Sequence, residues 1–160
     1  MLTEFRAARL PHELRSLVNF DRRVFPRADV FAPSYWRELE SWWMLVDGVK
    51  VGCSAFALHV DFRGDVTERM QGSLYIASTG IHPAWQGLGF GSMLKAWQVC
   101  YARQHGFKRI VTNTRKRNTA MIGLNRKFHF RTIRTMPAYY CDPRDAAVVM
   151  ELRLSGQDRT

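Results

Sequence analysis

The stretch Ile81-His82-Pro83-Ala84-Trp85-Gln86-Gly87-Leu88-Gly89-Phe90-Gly91 constrains the fold more than any other part of the chain. A strand-like run stops at a proline, a glycine-rich turn follows, and an amphipathic helical pattern begins at once. Glycines let backbone N–H groups crowd together and point at one spot, and a helix N-terminus adds a positive partial charge there. This is physics for holding a phosphate or pyrophosphate, and the competing reading is a tight strand-to-helix turn with no ligand. The spacing matches neither common nucleotide pattern. No Lys-Ser/Thr pair follows the last glycine, as a P-loop requires, and the glycines lack dinucleotide-type spacing.

Around that turn the pattern is mixed α/β. Glu4–Leu10 reads as a short strand ended by Pro11. His12–Phe25 reads as a helix, with Leu14, Leu17, Val18, Val24 and Phe25 at roughly helical spacing, and Pro26 stops it. Pro33 opens a second helical stretch, Ser34–Trp42, with Ser34 as N-cap. Trp43–Val46 and Val49–Val60 are strand-like and joined by Asp47-Gly48, a two-residue hairpin signal. A polar segment, Arg63–Gly72, leads to a strand at Ser73–Ile81. After the glycines a helix runs to Gln104, closed by His105-Gly106. Its Leu94, Trp97 and Tyr101 share a face, with Met93 and Cys100 alongside, and Cys100 falls on the core-facing stripe. Arg109–Thr114 is a strand, Asn118 caps a helix ending near Phe128, and Phe130–Thr135 and Ala146–Leu154 form a last strand pair around an Ala138–Asp145 loop. With no repeat or linker, residues 1–160 read as a single domain with one sheet.

Composition narrows the partners. The chain carries 24 Lys and Arg against 14 Asp and Glu, a formal charge of +10. From Arg69 to Cys141 there are 73 residues with 12 basic and no acidic side chains, so the remaining 87 carry a net −2. That half should meet something anionic. Nineteen of the 24 basic residues are Arg, which suits bidentate contact with phosphate. A hydrophobic fraction of 46% excludes a disordered chain. No apolar run approaches membrane-spanning length. Residues Met1–Leu10 lack a signal-peptide core, and the three dispersed cysteines, Cys53, Cys100 and Cys141, suggest neither a disulfide framework nor a metal site, with a reducing cytoplasm as the default.

Gln86-x-x-Gly89-x-Gly91 after Ile81-His82-Pro83 resembles the acetyl-CoA signature of the GNAT acyltransferase superfamily. Asn118-x-x-Met121-x-x-x-Asn125-x-x-x-His129-Phe130 is similar to the family's downstream element. Tyr139-Tyr140 and Arg144-Asp145-Ala146 through Val149-Met150 resemble the branch that acetylates ribosomal-protein N-termini. The resemblance implies an α+β fold, a single mixed, mostly antiparallel sheet flanked by about four helices. It also implies acetyl-CoA as co-substrate, with Ile81, Gln86, Gly87, Leu88, Gly89, Phe90, Gly91, Asn118 and Asn125 as cofactor-binding candidates. The loop amides would hold the pyrophosphate, and the strand backbone would pair with the pantetheine arm.

The sequence departs from the family where chemistry is done. Many relatives place a thiolate-protonating Tyr at the position of Asn125, which is no acid. Asn125 lies on the stripe Met121, Leu124, Asn125, Phe128 and should be buried, bonded either to the cofactor or to neighbouring backbone. His129 replaces the usual post-helix glycine, a structural change that histidine tolerates. The branch's usual glutamate falls near Ser73, inside the acid-free window. Glu68 is the base candidate, with Asp65, Asp61, His82 or a water chain as alternatives, and Tyr139 or Tyr140 is the acid candidate. Deprotonating a lysine amine (pKa about 10.4) at pH 7 costs about 4.6 kcal/mol, against about 1 kcal/mol for an α-amine near 7.7. A site without a clear base therefore suits an α-amine or small-molecule amine that attacks the thioester directly. Trp36, Trp42, Trp43 and Trp85 could line an aromatic acceptor site, the core, or a homodimer interface. Two other classes remain open: a nucleic-acid-binding module built on Arg115-Lys116-Arg117 and Arg126-Lys127, and a CoA-binding protein that has lost catalysis. Cysteine acyl carriers, Cys100 or Cys141, are disfavoured.

Overall fold

The computed structural model describes residues 1–57 and 72–154. In chain order the described elements are β1 (Thr3–Ala7), α1 (Leu14–Val24), α2 (Pro33–Trp36), β2 (Glu40–Val46), β3 (Val49–Ala57), β4 (Ser73–Ile81), α3 (Phe90–Gln104), β5 (Arg109–Arg115), α4 (Thr119–Lys127), β6 (Arg131–Tyr140) and β7 (Asp145–Arg153). The seven strands run in the order β1-β2-β3-β4-β5-β7-β6, with β4 and β5 parallel. The β1–β2, β2–β3, β5–β7 and β6–β7 pairs are antiparallel. The expected mixed, mostly antiparallel α+β architecture is present. The chain divides into two compact units, Met1–Ala57 with Ala77–Leu94, and Leu58–Ile76 with Lys95–Thr160.

In the first unit, Asp47 (φ 47°) and Gly48 (φ 80°) form the hairpin turn and set the register Val46↔Val49. The unit's core holds Leu17, Trp36, Trp43, Met44 and Phe56, each at most 1% exposed. α1 buries Leu17, Val18, Phe20 and Asp21. Asp21 accepts from Phe31 N (2.7 Å) and Trp36 Nε1 (3.3 Å), tying α1 to the segment that leads into α2. Burial raises its pKa, and those two bonds oppose the rise.

The second helix corrects the expectation. It spans only Pro33–Trp36, Ala32 rather than Ser34 is its N-cap, and β2 begins at Glu40 instead of Trp43. Residues 40–42 pair with Ser54–Phe56 on β3, and Trp42 also pairs with Ala7 on β1. Two neighbouring backbones outweigh a local helical spacing.

In the second unit, β5, β7 and β6 pack around Ile110, Ala147 and Met150, all fully buried. Arg109 donates to Ser73 Oγ (2.5 Å) and to Glu151 Oε2 (2.7 Å). Burial pushes the Glu151 pKa up, and its bonds with Arg153 and Arg109 more than reverse that, leaving it below the ordinary range. Asn118 caps α4 by accepting from Met121 N at 3.1 Å, as expected. His129 takes a positive φ of 69° after that helix, the structural role foreseen for it. The last hairpin differs from expectation: β6 continues through Tyr140, which pairs with Asp145, so Tyr139 and Tyr140 end a strand instead of sitting in a loop. An irregularity between Met136 and Tyr140, with Ala138 at φ 52°, hides this continuation from the pattern.

On α3 the buried residues are Phe90, Leu94, Lys95, Gln98, Tyr101 and Ala102, and Cys100 is exposed. The stripe is thus rotated by one residue from the one expected, and it takes in a lysine and a glutamine. Among the described residues no helix is long and apolar enough to cross a membrane. The expected strand Val49–Val60 beyond Ala57 and the polar segment up to Gln71 lie outside the described residues.

Candidate active site

β4 ends at Ile81, where His82 N donates to Val51 O at 2.8 Å. A single 3-10 turn, Pro83–Trp85, follows, and His82 Nδ1 accepts from Ala84 N at 3.1 Å. The neutral ring therefore carries its proton on Nε2. Gln86 folds back and donates from Nε2 to Ile81 O at 2.9 Å, closing the turn. Gly87 and Gly89 sit at φ 75° and 89°, and a Cβ added to either would meet nothing within 4 Å. Phe90 is buried against Trp85, ring centroids 5.7 Å apart, and anchors the first residue of α3.

Among the described residues the amides of Gly87, Leu88, Gly89, Phe90 and Gly91 donate to no backbone carbonyl. Gln86, Gly87, Leu88 and Gly89 are exposed, and α3 has no acidic residue in its first turn. Five orphan donors at the start of a fifteen-residue helix form a receptor for a diffuse anion, which is what a pyrophosphate offers. The residues present fit that group.

The second unit holds a chain of uncharged polar groups. Tyr75 on β4 donates its hydroxyl proton to Asn113 Oδ1, and Asn113 Nδ2 donates to the Tyr140 hydroxyl oxygen at 2.9 Å. Tyr140 thus accepts from Asn113, and its own O–H proton is directed elsewhere. Arg115 lies over the Tyr140 ring, 4.7 Å from its centroid, and donates to Pro143 O (2.5 Å) and Cys141 O (2.8 Å). Tyr139 packs edge-on against Tyr140 at 4.9 Å. Arg117 holds Asp145 and Arg144 O, so two of the three residues in the Arg115–Arg117 cluster brace the β6–β7 turn.

The remaining sequence candidates are dispersed. Asn118 is exposed with Oδ1 occupied by its cap bond. Asn125 has no exposed surface; its Nδ2 faces Met150 Sδ at 3.6 Å, its side-chain Oδ1 has no hydrogen-bond partner, and its backbone carbonyl accepts from Phe128 N and Phe130 N. Glu68, Asp65 and Asp61 lie outside the described residues. Of the four tryptophans, Trp36 and Trp43 are buried and Trp42 donates to Glu40 at 3.3 Å. Trp43 and Trp85 share one cleft in the first unit, a cavity of about 570 Å³ that His82 also lines.

Sequence reasoning missed Tyr75, Asn113 and Lys95. Tyr75 had a signal, since alternation along Ser73–Ile81 puts it on the less buried face. Lys95 had one too, lying beside Leu94 and four residues before Val99 on a core-facing helix. It is 1% exposed, with Nζ 5.2 Å from the Phe130 ring centroid, and burial brings its pKa down to about 7.

A central strand running through a glycine turn into a helix, with orphan amides there, defines a coenzyme-A-dependent acyltransferase. The acetyltransferase (GNAT) family profile matches residues 11–130, and the chain belongs to that family. Its reaction is the transfer of an acetyl group from acetyl-CoA to an amine. No curated protein matches the chain by sequence. Solved structures with this fold include the ribosomal-protein-S18-alanine N-acetyltransferase from Escherichia coli, at 14% identity and TM-score 0.80, covering 99% of each chain. The NatC complex bound to Gag peptide and CoA is also similar, at 14% identity and TM-score 0.81, over 97% of this chain and 100% of that one. So is Arabidopsis thaliana NAA60 with a bisubstrate analogue, at 14% identity and TM-score 0.79, over 96% of this chain and 100% of that one.

Proposed function

We propose that the acceptor is an α-amine at a protein N-terminus, attacking the thioester directly, with Tyr140 as the acid that protonates the departing thiolate. The observation that carries this is the Tyr75–Asn113–Tyr140 chain, an all-neutral set of hydrogen bonds that includes a phenol accepting from Asn113. A neutral relay suits an amine that loses its proton easily, as an α-amine does. The relatives named for alanine N-termini and peptide complexes support the same substrate class. Asn113 is a positioning residue: it fixes the lone pair of Tyr140 and leaves the O–H rotor one direction. Gly87 to Gly91 would hold the pyrophosphate through their amides, with Gln86 bracing the turn through its side chain, and the Ile81 end of β4 would offer its backbone to the pantetheine arm. Bound acetyl-CoA supplies the activated carbonyl. Tyr139 supports Tyr140 through ring packing, Asn118 and Asn125 serve α4, and Glu68 keeps its place as the base candidate. The chain works as one domain in the cytoplasm, where its thiols stay reduced.

Thiol release with acetyl-CoA tests this on two peptides of one sequence. One has a free N-terminus, and the other is N-terminally blocked with an internal lysine. Turnover on the free terminus alone supports the α-amine reading; equal turnover on the blocked peptide overturns it. No turnover on any amine, with CoA still bound, would identify a binder that has lost catalysis.

A further inference from the structure

The cleft between α1 and the β2–β3 hairpin in the first unit has no part in the reaction described above, yet it is built like a site. Its volume, about 570 Å³, is in the range of small-molecule pockets. Phe20, Trp43 and Trp85 give it aromatic walls, and no Asp or Glu lines it. Around those walls stand mostly donors. Arg23 reaches it from the last turn of α1 and has no ion pair among the described residues. Lys50 lies 4.5 Å over the Trp43 ring and 3.0 Å from Glu13, whose charge Arg6 also meets at 3.0 Å. Glu13, which does not line the cleft, thus answers two cations, and Arg23 adds a third charge with no ion pair among the described residues. His82 presents Nε2–H, because Nδ1 is taken by Ala84 N. Trp43 is fully buried, and its indole N–H has no hydrogen-bond partner. A buried donor left without an acceptor costs stability unless a ligand or water supplies one.

We propose that this cleft is a second binding site, for a small planar organic anion such as an aromatic carboxylate. The ring fits between the aromatic walls, and the carboxylate meets Arg23 and the His82 Nε2–H. The amine acceptor does not fit here. It arrives at neutral pH mainly as an ammonium ion, which Arg23 and Lys50 repel.

Calorimetric titration of the full chain with 2-naphthoate tests the site. Saturable one-to-one binding is expected, weakened about tenfold in Arg23→Gln and in Trp85→Ala, and about tenfold weaker for the uncharged 2-naphthalenemethanol. Melting curves identify any variant that has lost its fold; Arg23 is exposed and its replacement leaves the core intact. Absence of saturable heat up to about 10 mM would overturn the proposal, as would unchanged affinity in folded Arg23→Gln. Competitive displacement of naphthoate by CoA would also overturn it, by assigning the cleft to the cofactor.

Discussion

Asn113 engages both ends of its amide, so its replacement separates positioning from proton transfer. Tyr140→Phe removes the acid and is expected to lower kcat by about 10²–10⁴ while the KM for acetyl-CoA holds. Asn113→Ala leaves the phenol but frees its orientation, and a smaller loss of about tenfold in kcat is expected. Steady-state kinetics on a free-terminus peptide compares them; equal losses would mean that Asn113 does more than orient. Lys95 has the opposite character, a charge where the fold wants none. Its pKa of about 7 lies below the value of an exposed lysine, so between those two pH values the unfolded chain binds the extra proton. Stability therefore rises with pH from about 7 toward 10.5 on account of this group and loses that gain on acidification. Lys95→Met should raise the unfolding free energy at pH 7 by about 1–3 kcal/mol and flatten that rise. Urea melts of both proteins at pH 7 and 9.5 measure it.

At the level of elements, the turn into α3 owes its shape to backbone conformation and not to packing. Gly89→Val has no neighbour to strike, so the fold should persist while the loop amides lose their alignment. Acetyl-CoA is then expected to raise the Tm of the parent chain and to leave that of the variant unchanged. Elements of this kind were legible from sequence because their signals are local. Ser73–Ile81, the Asp47-Gly48 turn, α3 and the Asn118 cap all lie where the pattern puts them. β2 was not, because residues 40–42 become strand only through partners on β1 and β3. The relay was illegible for the same reason: Tyr75 and Asn113 are 38 residues apart, Asn113 and Tyr140 are 27 apart, and neither pair leaves a periodic trace.

For the molecule as a whole, the +10 charge is less available than its size suggests. Arg109 is buried on Glu151, and Arg115 and Arg117 hold the β6–β7 turn. What remains of the basic stretch would steer a polyanionic cofactor over a short range. The KM for acetyl-CoA should therefore rise as salt is added, while the KM for acetyl-pantetheine, which lacks the phosphates, stays level. A matching rise for both donors would place the salt effect on the fold or on the acceptor.

The open space around Gly89 has a chemical corollary. Its φ of 89° is the mirror image of an ordinary L-residue angle, and nothing crowds the site. The position is indifferent to bulk and selective for handedness. A semisynthetic chain carrying D-alanine there should keep the cofactor-induced Tm shift, where L-alanine weakens it. Having fewer conformations to lose on folding, the D-alanine chain should also melt higher than the natural one.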